Sequence, residues 1–349
     1  MTRLLELHAH PGAALRIRDR GFKPELFSSL IGASGGPKWL VLSQLDRVLF
    51  PWLLNAQRST PLVTVGSSIG AWRLACFASG DPVGAIERLE RGYIEQQYAQ
   101  RPSTDEISSV SSGIIEHALG DHGATNLVHH PLIRTHIITV SGRGGWNAQS
   151  TPRLALACAK SAIANALSRK HLGRFVTRFC FHSDSAPLLR IDDQLATVFQ
   201  ALTPNMVTRV VRASGSIPLL MAGVPAMDGE ELHWDGGITD YHFSDRFRHH
   251  DGLTLYPHFF SQLTPGWFDK SLAWRRQTAA RWPGLVLLCP SAEFVRRLPF
   301  QRIPSRKDFE TLSTADRIVA WWKVVDLSRY LADECQQLLE GRGLEERLS

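Results

Sequence analysis

The sequence predicts an α/β protein with a mostly parallel central sheet, and three observations carry that prediction. Short apolar runs rich in β-branched residues or leucine recur at 27–31, 62–65, 133–140, 175–181, 253–260 and 285–289, each of a length suited to a buried strand. The first two are each followed by a stretch with apolar residues at helical spacing, and consecutive β-α units require a parallel sheet. Both of those units turn from strand to helix through a glycine-rich corner. With 349 residues, 44% of them hydrophobic and 21% charged, the chain can bury a sizeable core, so a single α/β domain over 1–349 is expected.

Taken in order, residues up to Lys23 mix basic and apolar positions without periodicity. A strand at 27–31 leads into Gly32-Ala33-Ser34-Gly35-Gly36, and Pro37 then suits the first turn of a helix running past Phe50. The second unit pairs a strand at 62–65 with a helix over 70–78, a Ser-Gly-Asp-Pro break and an amphipathic helix over 83–97. The polar stretch 103–126 reads as helical only over 114–119. A strand at 133–140, a helix at 154–167 and a strand at 175–181 follow, and Thr203-Pro204 opens a helix that reaches Arg212. Leu232 to Asp240 starts as a strand and must turn at Gly236-Gly237. Further strands at 253–260 and 285–289 precede one or two helices over 311–339.

The pivot of the chain is Gly66-Ser67-Ser68-Ile69-Gly70, a Gly-x-Ser-x-Gly corner between strand and helix. Such a corner pushes its central side chain outward, and the flanking glycines leave room where a Cβ would collide. Ser68 is therefore a candidate nucleophile. The pattern occurs a second time around Ser34, which makes Ser34 a rival. A serine hydroxyl needs a base within hydrogen-bond reach, and the oxyanion formed on attack needs preorganised N–H donors. Gly35, Gly36 and the amide of Ile69 lie at helix N-termini and can supply those donors. Two bases are open: a histidine such as His242 or His258, or Asp235, a carboxylate held at the end of a short strand by the turn Gly236-Gly237.

Composition narrows the partners. The formal charge of +6 favours anionic surfaces. No zinc-finger spacing, RNP-like aromatic motif or basic zipper points to nucleic acid. Five cysteines without Cys-x-x-Cys spacing fit reduced thiols in the cytoplasm. No run of about 18 apolar residues is present to span a membrane. The residues show no metal-ligand cluster, and neither metal nor cofactor is expected.

In order along the chain, the Gly-rich loop, Gly66-Ser67-Ser68-Ile69-Gly70, Ala213-Ser214 with Pro218, and Asp235-Gly236-Gly237 resemble the patatin-like phospholipase family. The resemblance covers about 27–241 and leaves 242–349 as an elaboration. It implies a three-layer α/β/α fold and a lipid acyl hydrolase with a Ser-Asp dyad. Ser68 would be the nucleophile, Asp235 the base, and Gly35, Gly36 and Ile69 the oxyanion hole, with Ser34 and Lys38 supporting the loop. The loop departs from the family pattern at Ser34 and Trp39, where glycines are usual, and Asp240-Tyr241 stands where Asn-x-Pro is common. An elbow this early in the chain fits the patatin-like order better than that of a Ser-His-Asp hydrolase.

A phospholipid or lysophospholipid is the implied substrate, with two alternatives: a general Ser-His-Asp esterase, and a catalytically silent lipid-binding protein. Peripheral contact with an anionic membrane is expected through Trp267, Trp274 and Trp282, interleaved with Lys270, Arg275, Arg276 and Arg281.

Overall fold

The structure is a computed structural model that describes residues 3–148, 151–226, 231–249 and 252–348. It is a three-layer α/β/α arrangement around one ten-stranded, mostly parallel sheet. In chain order the strands are β1 (Leu5–Ala9), β2 (Phe27–Gly32), β3 (Leu62–Ser67), β4 (Ile133–Gly142) and β5 (Val176–His182). They continue with β6 (Thr197–Ala201), β7 (Val224–Pro225), β8 (Leu232–Asp235), β9 (Leu253–Pro257) and β10 (Leu285–Pro290). The spatial order is β1-β10-β9-β2-β3-β4-β5-β6, with β8 on β4 and β7 on β8.

From β10 to β4 every neighbouring pair is parallel. All six residues of β3 and all six of β10 are buried, as strands covered by helices on both faces require. Antiparallel pairing within this sheet is confined to the flanks, where β1 meets β10, β4 meets β5 and β8, and β7 meets β8. The segment beyond 242 is thus woven into the sheet: β9 lies directly against β2.

Three features of the first half differ from the sequence reading. Residues before Lys23 form β1 and a helix, Pro11–Arg20, which periodicity could not show because β1 finds its partner, β10, some 280 positions along the chain. The helix read over 114–119 runs from Thr104 to Val128, its first turn capped by Ser103 Oγ, which accepts from Glu106 N at 3.1 Å. Its serines and glycines mask the pattern, and at Gly120 the backbone leaves the helical region with φ of 63°. The helix expected to open at Pro37 begins as a 3-10 turn, Gly36–Leu42, before Ser43–Leu54.

Beyond the main core, a second cluster gathers Val140, Trp146, Leu154, Val176, Trp234 and Ile238 around β8 and the short helix Gly237–Asp240. Buried charge fastens that helix to β5. Arg178 donates to Asp240 Oδ2 at 2.6 Å and Oδ1 at 3.0 Å, and to both carboxylate oxygens of Asp193 at 3.0 and 2.7 Å. Burial alone would lower the Arg178 pKa, but the two carboxylates raise it above its usual value. Arg178→Met would leave Asp193 buried without its ion-pair partner and Asp240 with only Arg169 at 3.5 Å, and a loss of about 3–5 kcal/mol is expected in guanidinium chloride unfolding.

Candidate active site

The elbow forms because β3 stops at Ser67 and the helix Ile69–Phe77 starts two residues later. Ser68 bridges them with φ of 53° and ψ of −133°, a conformation that costs an L-residue energy and that strained functional corners adopt. The flanking glycines answer to space. A Cβ on Gly70 would lie 2.1 Å from Gly32 O, and one on Gly66 would lie 2.7 Å from Ala71 N. The elbow helix is therefore pressed directly onto the ends of β2 and β3.

β4 brings the acid to the serine. Ser67 pairs with Ile138, and Asp235 of β8 pairs with the next residue, Thr139, so β3 and β8 meet end to end along one edge of β4. At that junction Ser68 Oγ donates to Asp235 Oδ2 at 2.8 Å, while Gly237 N donates to Asp235 Oδ1 at 2.7 Å. Burial pushes the Asp235 carboxyl above its usual pKa, against the pull of the Ser68 hydroxyl, the Gly237 amide and the charges of Arg306 and Lys270. Ser214 pins the elbow from below. Its hydroxyl accepts from Ser68 N at 2.9 Å and donates to Ile138 O at 2.6 Å.

The Gly-rich loop closes over the same point. Gly36, with φ of 56°, and Ile69 are the first residues of their helical turns, so neither amide has an intrahelical partner. A Cβ on Gly35 would lie 2.4 Å from Phe259 Cζ, which keeps that position a glycine. Lys38 Nζ donates to Gly35 O at 3.4 Å, and burial together with the Arg306 charge lowers its pKa to about 8. Ser34, the rival nucleophile, is buried. Its hydroxyl is 2.8 Å from Ser67 Oγ, its amide donates to Tyr241 O at 3.0 Å, and Ser67 Oγ in turn donates to Asp240 O at 2.5 Å. These bonds tie the loop to the acid-bearing turn.

Two cavities open on Ser68. The larger, about 510 Å³, runs between Trp72, Tyr93, Ile107, Ile114, Leu220 and Phe309. The smaller, about 40 Å³, is lined by Gly35, Gly36, Ser68 and Asp235 together with Lys38, Lys270 and Arg306. Arg306 carried no signal in the sequence, and Lys270 stood out only as one basic residue among tryptophans. Both come from beyond 242 and reach the site only through the fold.

The histidines do not join this constellation. His242 Nδ1 accepts from Thr264 N at 2.8 Å, and His258 Nδ1 faces the Phe260 backbone, 2.6 Å from its carbonyl oxygen. Burial, reinforced by the His258, Lys38 and Lys270 charges, holds the His242 pKa well below its usual value, and burial lowers His258 to about 3. Among the described residues Ser68 Oγ bonds to Asp235 and to no imidazole.

The tryptophans do not share one face either. Trp274 is 75% exposed, but Trp282 is 6% exposed and packs 6.3 Å from the Tyr256 ring, and Trp267 lines the small cavity. Arg275 is bound to Asp269 Oδ1 at 2.7 Å and to Asn165 O, so its charge is spent inside the protein. No helix among the described residues is long and apolar enough to cross a membrane. On the β1-β10 edge, Glu6, His8 and Cys289 come within ligand reach of one another, and Glu6 Oε2 is 2.9 Å from His8 Nε2.

Fold and site together define a mixed α/β protein with a serine-carboxylate pair at a strand-helix elbow. No family model matches the chain, and no curated protein matches it. Among solved structures it is similar to VipD from Legionella pneumophila, at 12% identity and a TM-score of 0.32, over 73% of this chain and 53% of that one. The chain thus spans about half the length of that protein, and the likeness is too slight to bear on function.

Ser214→Ala would leave the buried Ser68 amide without its acceptor. A loss of about 1–3 kcal/mol in chemical denaturation is expected, with a larger fall in nucleophile reactivity than stability alone accounts for.

Proposed function

We propose that this protein is a serine acyl hydrolase of the patatin-like kind, cleaving carboxylic esters of lipids through Ser68 and Asp235. The observation that carries the reading is the 2.8 Å hydrogen bond from Ser68 Oγ to Asp235, with Ser68 lining a cavity that offers Trp72, Ile107, Ile114, Leu220 and Phe309 as apolar wall. Ser68 Oγ attacks the ester carbonyl as its proton passes to Asp235 Oδ2. The amides of Gly35, Gly36 and Ile69 face the oxyanion, with Lys38 adding positive charge behind the loop. Collapse expels the alcohol, which takes the proton from Asp235. Water then attacks the acyl-enzyme with Asp235 as base and Ser68 as leaving group.

Burial serves this chemistry by raising the basicity of Asp235, since a carboxylate of ordinary pKa is a poor acceptor for a serine proton. The large cavity suits an acyl chain, each buried methylene contributing about 0.8 kcal/mol. Leu220, 41% exposed, lines this cavity, and with its chain neighbour Leu219, 43% exposed with φ of 70°, it would offer an apolar lip to a lipid aggregate.

A serine-reactive phosphonate should label Ser68 alone. Ser68→Ala and Asp235→Asn should each lower turnover of long-chain esters by about 10²-fold or more, whereas His242→Gln and His258→Gln retain activity per folded molecule. Equal rates for wild type and Ser68→Ala on every ester would leave a lipid-binding protein instead.

The active form has Asp235 ionised, so kcat/KM rises as pH climbs through its pKa. Because burial raises that pKa, the acid limb of the profile should lie above the usual carboxylate range. Leu219→Asp should lower partitioning onto anionic vesicles in co-sedimentation without changing turnover of a short soluble ester.

A further inference from the structure

The proposed reaction leaves the small cavity unexplained. Lys38, Lys270 and Arg306 converge there on one side of Ser68, and Asp235 is the only carboxylate in its wall. Both oxygens of Asp235 are already engaged, one by Ser68 and one by Gly237. Several buried cations elsewhere meet carboxylates: Arg73 meets Asp46 at 2.6 Å, Arg178 meets Asp240 at 2.6 Å and Arg275 meets Asp269 at 2.7 Å. Among the described residues no ion pair joins Lys38, Lys270 or Arg306 to any carboxylate. Like charges gathered around one carboxylate repel one another: burial first, and then Arg306 and Lys38, lower the Lys270 pKa to about 7 against the pull of Asp235. An arriving anion would relieve that repulsion.

From this arrangement we infer that the small cavity is an anion subsite, and that the substrate is an acyl ester whose alcohol carries a phosphate monoester. The inference rests on the acyl-hydrolase reading for its orientation. Ser68, Gly36 and Arg306 line both cavities, so an ester held at Ser68 places its acyl chain in the large one and its alcohol in the small one. A phosphate monoester carries about −1.5 to −2 charges near pH 7 and would restore full protonation of Lys270, a better match to three basic residues beside one carboxylate than a single carboxylate group.

The same residues disfavour a choline headgroup. A quaternary ammonium is recognised by aromatic faces, and here the protein's own cation occupies them: Lys270 Nζ lies 4.1 Å from the Tyr241 ring centroid and 5.6 Å from that of Trp267.

Binding to the full-length Ser68→Ala protein tests this without requiring turnover. Calorimetry would compare hexanoyl-glycerol phosphate, hexanoyl-glycerophosphocholine, monohexanoylglycerol, glycerol 3-phosphate and inorganic phosphate. The expected result is that the acyl phosphate binds at least tenfold more tightly than the choline and neutral esters. Adding Lys270→Gln or Arg306→Gln should each reduce that preference about tenfold. Equal affinity for the three acyl compounds, or a preference untouched by both variants, overturns the subsite. Inorganic phosphate binding as tightly as the acyl phosphate would also overturn it, by making free phosphate the ligand. If the parent protein hydrolyses no ester yet the ranking holds, the hydrolase reading fails and the subsite stands. If it hydrolyses neutral and phosphate esters equally and the ranking is absent, only the subsite fails.

Discussion

Two successive residues of β4 determine where Ser68 meets Asp235. Ile138 pairs with the last residue of one strand and Thr139 with the last residue of another, and the two incoming strands point at each other. Neither Ser68 nor Asp235 could find its partner by local turn geometry alone, because 167 positions separate them. A one-residue slip of β8 on β4 would send the Asp235 side chain to the opposite face of the sheet. The hydrogen bonds of Ser214 to Ser68 and Ile138, and of Gly236 N to Ser214 O at 3.0 Å, lock that junction from a third element. The dyad is thus a property of sheet register.

Electrostatics divides the protein into two regimes. Beside the acid-bearing turn, Arg178, Arg169 and Arg275 interleave with Asp193, Asp240 and Asp269 in one network of paired charges that holds the turn in place. At the site itself, Lys38, Lys270 and Arg306 face a cavity with far less compensation. These three stand where a ligand can reach them, unlike the arginines paired with carboxylates in the interior. Asp240 supplies one of the two anions that hold Arg178.

Much of the parallel core could be read from the sequence because short apolar runs followed by helical periodicity are local signals. The elbow was legible for the same reason, since Gly66, Ser68 and Gly70 fall within five positions. Asp235 was legible only as a carboxylate before two glycines, and its pairing with Ser68 needed the resemblance. What escaped was non-local. β1 pairs with a distant strand, Lys270 and Arg306 are single basic residues without a motif, and the supposed interfacial tryptophans scatter because Trp282 turns into the core. Alternation and spacing describe faces of elements, and they cannot say which distant side chains those faces will meet.

The position of β9 bears on how the chain is made. β2 (Phe27–Gly32) has β3 on one side, but its other edge is covered only by Leu253–Pro257. On a ribosome adding about 5–20 residues per second, that apolar edge waits roughly 10 to 45 s for its neighbour to emerge. An unpaired buried-type strand is a template for foreign strands during that interval. The nascent chain therefore has a built-in period of vulnerability, and a fragment ending before β9 would carry the same open edge permanently.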